Sequence, residues 1–129
     1  MAFTKQSING FLVANETYTL PSSATTEYSS VIDFLKWRYK GNQNEYATFT
    51  FNASAVSGTN LDIALYGSNT EAGTVKYLLK DAVVADITAT GTVAGVIDIK
   101  AYPAPYYFLA WTADGDESAN TIAVGVITI

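Results

Sequence analysis

Short apolar runs recur along this chain between clusters of Gly, Asn, Ser and Asp, and inside the runs apolar and polar positions alternate. A period of two marks strands that bury one face. The clearest case is the stretch from Tyr46, where Ala47, Phe49, Phe51, Ala53 and Ala55 share one side and Tyr46, Thr48, Thr50, Asn52 and Ser54 the other. Next, Leu61, Ile63 and Leu65 alternate with Asp62, Ala64 and Tyr66 after a Ser57-Gly58-Thr59-Asn60 turn, which predicts a strand paired with its predecessor.

Similar patterns predict strands over Thr17 to Leu20, Tyr28 to Phe34, Val96 to Tyr102, Tyr106 to Thr112 and Thr121 to Ile129. The last of these has no strongly polar face, so it is either central in a sheet or covered by a partner. Asp114-Gly115-Asp116-Glu117 predicts a hairpin between it and Tyr106 to Thr112. Between Thr74 and Val84 the apolar positions also suit one face of a helix. The β-branched Val83, Val84, Ile87 and Thr88 favour strand, a turn at Lys80-Asp81, then strand. The fold class that follows is all-β: an antiparallel, jelly-roll-like sandwich of about eight strands.

Before Tyr18 the apolar Phe3, Ile8, Phe11, Leu12 and Val13 lack a clean period. Residues 1–15 read as an amino-terminal arm, and 16–129 as a single domain. Phe3 and Phe11 become candidate contacts if the arm lies along a neighbouring subunit. A chain of 129 residues fits one such domain, burying roughly two-thirds of the surface of the unfolded chain.

Composition narrows the chemistry. Cysteine and histidine are both absent. That removes disulfide frameworks, thiolate zinc sites, cysteine nucleophiles and the Ser-His-Asp triad together. The net charge of −5 opposes binding to phosphate backbones, so nucleic acid is not an expected partner. The first residues lack the pattern of a secretory leader, and no apolar run is long enough to span a bilayer as a helix. No cofactor and no enzymatic activity are expected.

Four groups of residues could carry function. Asp114, Asp116 and Glu117 form an oxygen-rich loop, but the full calcium-loop spacing is missing and a solvated turn is the simpler reading. Asp33, Asp62, Asp98 and Asp114 are carboxylates that a glycosidase would need in pairs, though they fall on separate strands and turns. Leu35-Lys36-Trp37-Arg38-Tyr39-Lys40, if extended, sets Lys36, Arg38 and Lys40 against Leu35, Trp37 and Tyr39. It holds three of the seven basic residues and makes either a strand with an aromatic core face and a solvated basic face, the simpler reading, or a docking edge for an acidic partner. Tyr102, Tyr106, Tyr107, Phe108 and Trp111 form a second aromatic group, read as core, with sugar stacking as the alternative.

Taken whole, residues 16–129 resemble the small jelly-roll cement, or decoration, proteins of tailed-phage capsids. The likeness lies in the run Tyr28-Ser29-Ser30-Val31-Ile32-Asp33-Phe34, in Leu61 to Tyr66 followed by the Gly67-Ser68-Asn69-Thr70 loop, and in Pro105-Tyr106-Tyr107-Phe108-Leu109-Ala110-Trp111 before a closing strand. The resemblance implies a homo-oligomer on the outside of a virion, made in the host cytoplasm. There it would bind the major capsid protein and bridge capsomers. It offers no catalytic residues to carry over. A carbohydrate- or receptor-binding sandwich is the alternative reading, resting on Trp37, Tyr39, Tyr102 and Trp111.

Overall fold

The computed structural model describes residues 2–34, 36–37 and 46–128. Nine strands make up the described chain: β1 (Thr4–Ile8), β2 (Phe11–Thr19), β3 (Thr26–Tyr28), β4 (Tyr46–Ala53), β5 (Leu61–Ser68), β6 (Tyr77–Lys80), β7 (Gly91–Asp98), β8 (Tyr106–Ala113) and β9 (Thr121–Thr128). A 3₁₀ turn, Ile99–Ala101, follows β7. Sheet A has the order β1-β2-β9-β4-β7 and sheet B the order β3-β8-β5-β6. Every pairing is antiparallel.

The pairings are nested. β2 lies beside β9, β3 beside β8, β4 beside β7 and β5 beside β6, as in one long hairpin rolled up, and the β9–β4 and β8–β5 ladders close the roll. This is the jelly-roll arrangement, with β1 added at one edge of sheet A.

Between the sheets, the alternation read from sequence holds along the strands, though Ala55, read as inward, lies beyond the end of β4 and is only half-buried. Ala47, Phe49, Phe51 and Ala53 of β4, Leu61, Ile63 and Leu65 of β5, and Tyr107, Leu109 and Trp111 of β8 all point into one buried core. β9 is central, between β2 and β4, and contributes Ile122, Val124 and Val126.

Other expectations are corrected. β4 and β5 do not pair with each other, and β8 and β9 do not form a hairpin, because each of these couples lies in different sheets. The turns at 57–60 and 114–117 instead cross the roughly 10 Å between the sheets, letting both strands bury apolar faces against each other. No helix forms over 74–87. β6 is a strand, but the second strand expected after Lys80 is not: only Ile87 makes a bridge, to Leu61. Val83 donates its N–H to the Ile63 carbonyl (3.0 Å), and Val83 and Val84 tuck against Gly95 of β7. Residues 83–87 thus form a strap across the open side of the sandwich.

The amino-terminal residues are not an arm. Asn9 (φ 50°) and Gly10 (φ 84°) form the two-residue turn of a β1–β2 hairpin, and β2 pairs with β9 along its length. Phe3 is buried. The run expected as a strand over 28–34 ends early, because Ser29 Oγ accepts from Leu109 N–H (3.0 Å) and displaces the ladder until Ile32 bridges Tyr107.

Candidate partner-binding face

The outer face of sheet B collects side chains from all four of its strands. Tyr66 of β5 stands opposite Phe108 of β8 and Leu78 of β6, while Ala64 stands opposite Ala110, which in turn faces Tyr28 of β3. The two alanines are too short to reach the level of the rings around them. The result is a depression of about 380 Å³ lined by Asp62, Ala64, Tyr66, Leu78, Ala110 and Thr112, with Asp81, Ala82 and Asp86 on its rim. Tyr28 and Tyr66 meet edge to face (centroids 5.5 Å apart, 85° between planes). Tyr28 is 38% exposed and Leu78 49%, and both are large apolar groups left in water.

Lys76 organises one end of this face. Its ammonium donates to the Gly73 carbonyl at 2.6 Å and lies 4.5 Å from the Tyr28 ring centre and 4.7 Å from that of Phe108. At the other end two carboxyls are neighbours. A hydrogen bond shared with Asp86, then partial burial, then the charges of Asp86 and Asp114 push the Asp62 carboxyl above the usual carboxylate range. Asn60 Nδ2 donates to Asp86 Oδ2 (3.2 Å) and fixes that side of the pair.

The remaining carboxylates of the sequence reading have structural partners. Asp33 accepts from Lys36 N–H (3.0 Å), and Asp98 caps the 3₁₀ turn through Lys100 N–H (3.0 Å). Asp62 has Asp86 as its hydrogen-bonding carboxyl neighbour.

The loop after β8 is built on backbone capture. Asp114 accepts from Thr59 N–H (2.9 Å) and Asn60 N–H (3.2 Å), and Asp116 from Ser118 N–H (3.0 Å). Glu117 is fully buried, taking Ser57 N–H and Gly58 N–H at 2.7 Å each and Asn120 Nδ2 at 2.8 Å. Burial pushes its carboxyl up, but the two backbone donors and the amide outweigh it and hold it below the usual range. Glu117 N–H in turn donates to the Pro21 carbonyl (3.0 Å). Three sheet-crossing connections are thereby joined at one end of the sandwich, and these oxygens serve amides. Among the described residues no group of three or more acidic side chains is placed to hold a metal.

The structure separates the contact residues expected from sequence. Phe3 and Trp37 are core residues, meeting edge to face at 5.4 Å, and Trp37 also packs on Phe34. Lys36 is exposed, but Phe34, Lys36 and Trp37 lie in a turn rather than an extended run, Trp37 N–H donating to the Asp33 carbonyl (2.8 Å). Arg38, Tyr39 and Lys40 lie outside the described residues. Phe11 stays on the surface beside Ile8, its pairing partner at the β1–β2 turn. In the second aromatic group Tyr107, Phe108 and Trp111 are buried, and Tyr107 Oη donates to the Tyr102 carbonyl (2.7 Å).

No family model matches this chain, and no curated protein does. Solved structures similar to it include one titled "Bacillus endospore appendages form a novel family of disulfide-linked pili", at 8% identity and a TM-score of 0.47. That likeness covers 97% of this chain and 89% of the other, and at such a score it bears on neither family nor function.

The Tyr28–Tyr66–Leu78 face escaped the sequence reading because it is shared among strands whose neighbours periodicity does not name. The one available signal was Tyr66, a large ring on the polar side of an otherwise amphipathic strand.

Proposed function

We propose that this chain is a structural virion protein that binds the outside of a phage capsid and stabilises the shell by bridging capsomers. The observation that carries this reading is the outer face of sheet B. Exposed Tyr and Leu around a floor of alanines, set on a rigid sheet, make the kind of surface enriched at protein interfaces. The jelly-roll strand order agrees with the resemblance to capsid decoration proteins, as an analogy of layout. Each copy needs only modest affinity where a lattice supplies many equivalent sites.

Co-sedimentation with phage shells prepared without the protein tests the reading. Saturable binding at a fixed ratio to capsomers, lost in Leu78→Asp while its circular dichroism stays that of the wild type, is the expected result. Protein left in the supernatant at every salt concentration overturns it.

A second reading, glycan binding, is favoured by the neighbourhood of the Tyr28 and Tyr66 rings and the Asp62–Asp86 carboxyls. It cannot use Trp37 or Trp111, which are buried. Calorimetric titration with a panel of oligosaccharides separates the two: heat that disappears in Tyr66→Ala supports the glycan reading, and no heat across the panel removes it.

A further inference from the structure

The sandwich has four edge strands, and three of them carry the usual protection against pairing with another chain. β1 has five residues and bears Lys5; β3 has only three residues, one of them Glu27; β6 has four, ends on Lys80, and faces a register shift at Leu65/Tyr66. Short length, charge and irregular pairing are the devices by which edges are kept closed. β7 is long and regularly paired, and its one charge, Asp98, is confined to its last residue. It runs for eight residues in unbroken register with β4, and from Gly91 to Ile97 it contains neither a charged residue nor a proline.

Its outer backbone edge is free. Among the described residues the only ladder β7 makes is with β4, and no turn or loop bond engages residues 91–97. The strap at 83–87 packs on Gly95 from the core side and leaves the edge open. Beside the edge, Val96 is 66% exposed and Tyr46, on the adjoining β4, 56% exposed, so apolar surface and unpaired peptide groups coincide.

We infer that β7 pairs antiparallel with β7 of a second copy, joining two five-stranded sheets A into one ten-stranded sheet across a two-fold axis. Backbone N–H and C=O groups of an open edge select an extended strand, and a strand of the same chain is self-complementary under such an axis. Charge favours this edge over the others. Each copy carries −5, yet the strands that would touch are uncharged from 91 to 97, so no like charges are forced together there. A register centred on Ala94 sets Val96 of each copy against Thr92 of the other and covers the most exposed apolar side chains of this edge. The pairing does not depend on what the outer face of sheet B binds.

Sedimentation equilibrium of the full chain over a wide concentration range, with Val96→Lys alongside, tests it. Val96 is solvent-facing, so the lysine should leave the fold intact, as thermal unfolding will show; Thr92→Lys replaces it if Val96→Lys unfolds. A reversible dimer for the wild type, tightening as salt screens the long-range repulsion, and a folded monomer for the lysine variant are expected. A wild type that stays monomeric at all concentrations overturns the inference. So does a lysine variant that dimerises as well as the wild type.

Discussion

Gly58 donates its backbone N–H to Oε2 of Glu117 at 2.7 Å, across 59 positions of sequence and between two connections that each cross from one sheet to the other. Glu117 is the one fully buried acid among the described residues, and it holds the connections together without a countercharge. Its partners are peptide and amide donors, whose alignment favours the ionised carboxylate.

Glu117→Gln replaces one acceptor oxygen by a donor that faces backbone N–H groups. It is expected to lower unfolding free energy by about 2 kcal/mol at pH 7, read from the urea midpoint.

The same site sets an acid limit. The Glu117, Asp114 and Asp116 carboxyls are all held below their ordinary values in the folded protein. Their contribution is complete above about pH 4, the range in which the unfolded carboxyls titrate, and is lost as pH falls through the lower folded values. Wild type and Glu117→Gln should therefore converge in stability toward pH 3, in a series of urea titrations.

Asp62 runs the other way. Its carboxyl is raised, by Asp86 before all else, so at neutral pH the folded state holds an ionised group it disfavours. Asp62→Asn should raise the melting temperature at pH 7. The gain should vanish below the unfolded carboxylate range, where Asp62 is protonated in both states.

Gly95 has no room for a side chain. A Cβ there would lie 2.3 Å from the Val83 carbonyl oxygen, a backbone atom that cannot rotate away. Gly95→Ala should cost about 1 to 3 kcal/mol and speed amide exchange at Val83 and Ile87, as the strap is pushed off β7.

Gly10 lies at φ 84° in the β1–β2 turn. Gly10→Ala should cost about 1 kcal/mol, felt as faster amide exchange in β1, every residue of which is exposed, with little change in global unfolding.

Local alternation was enough to identify the inward residues of β4, β5 and β8, because a strand's two faces are written within its own few residues. It says which side meets the core, but not which sheet the strand joins, and so the β4–β5 and β8–β9 connections were misread as hairpins. The Asn9-Gly10 pair was a legible turn signal, outweighed by the lack of a clean period around it. Burial of Phe3 was not legible, since it depends on the chain before β1 meeting Tyr18 and Trp37, whereas burial of Trp37 agrees with the aromatic core face read from sequence, reached in a turn rather than a strand. Asp33, which catches Lys36 N–H, is the local reason that run turns instead of extending. The outer face of sheet B required strand order, which only the nested pairing supplies.

That nesting orders events in time as well as in space. β9, the last strand along the chain, fills the middle of sheet A between β2 and β4. Without β9, the strands of sheet A can form only two separate pairs, β1–β2 and β4–β7, with no neighbour to join them. The domain must then wait for its final ladder and close late, in one step, with the slow kinetics of distant pairings. Removing β9 would sever the sheet, whereas removing β1 would only shorten it.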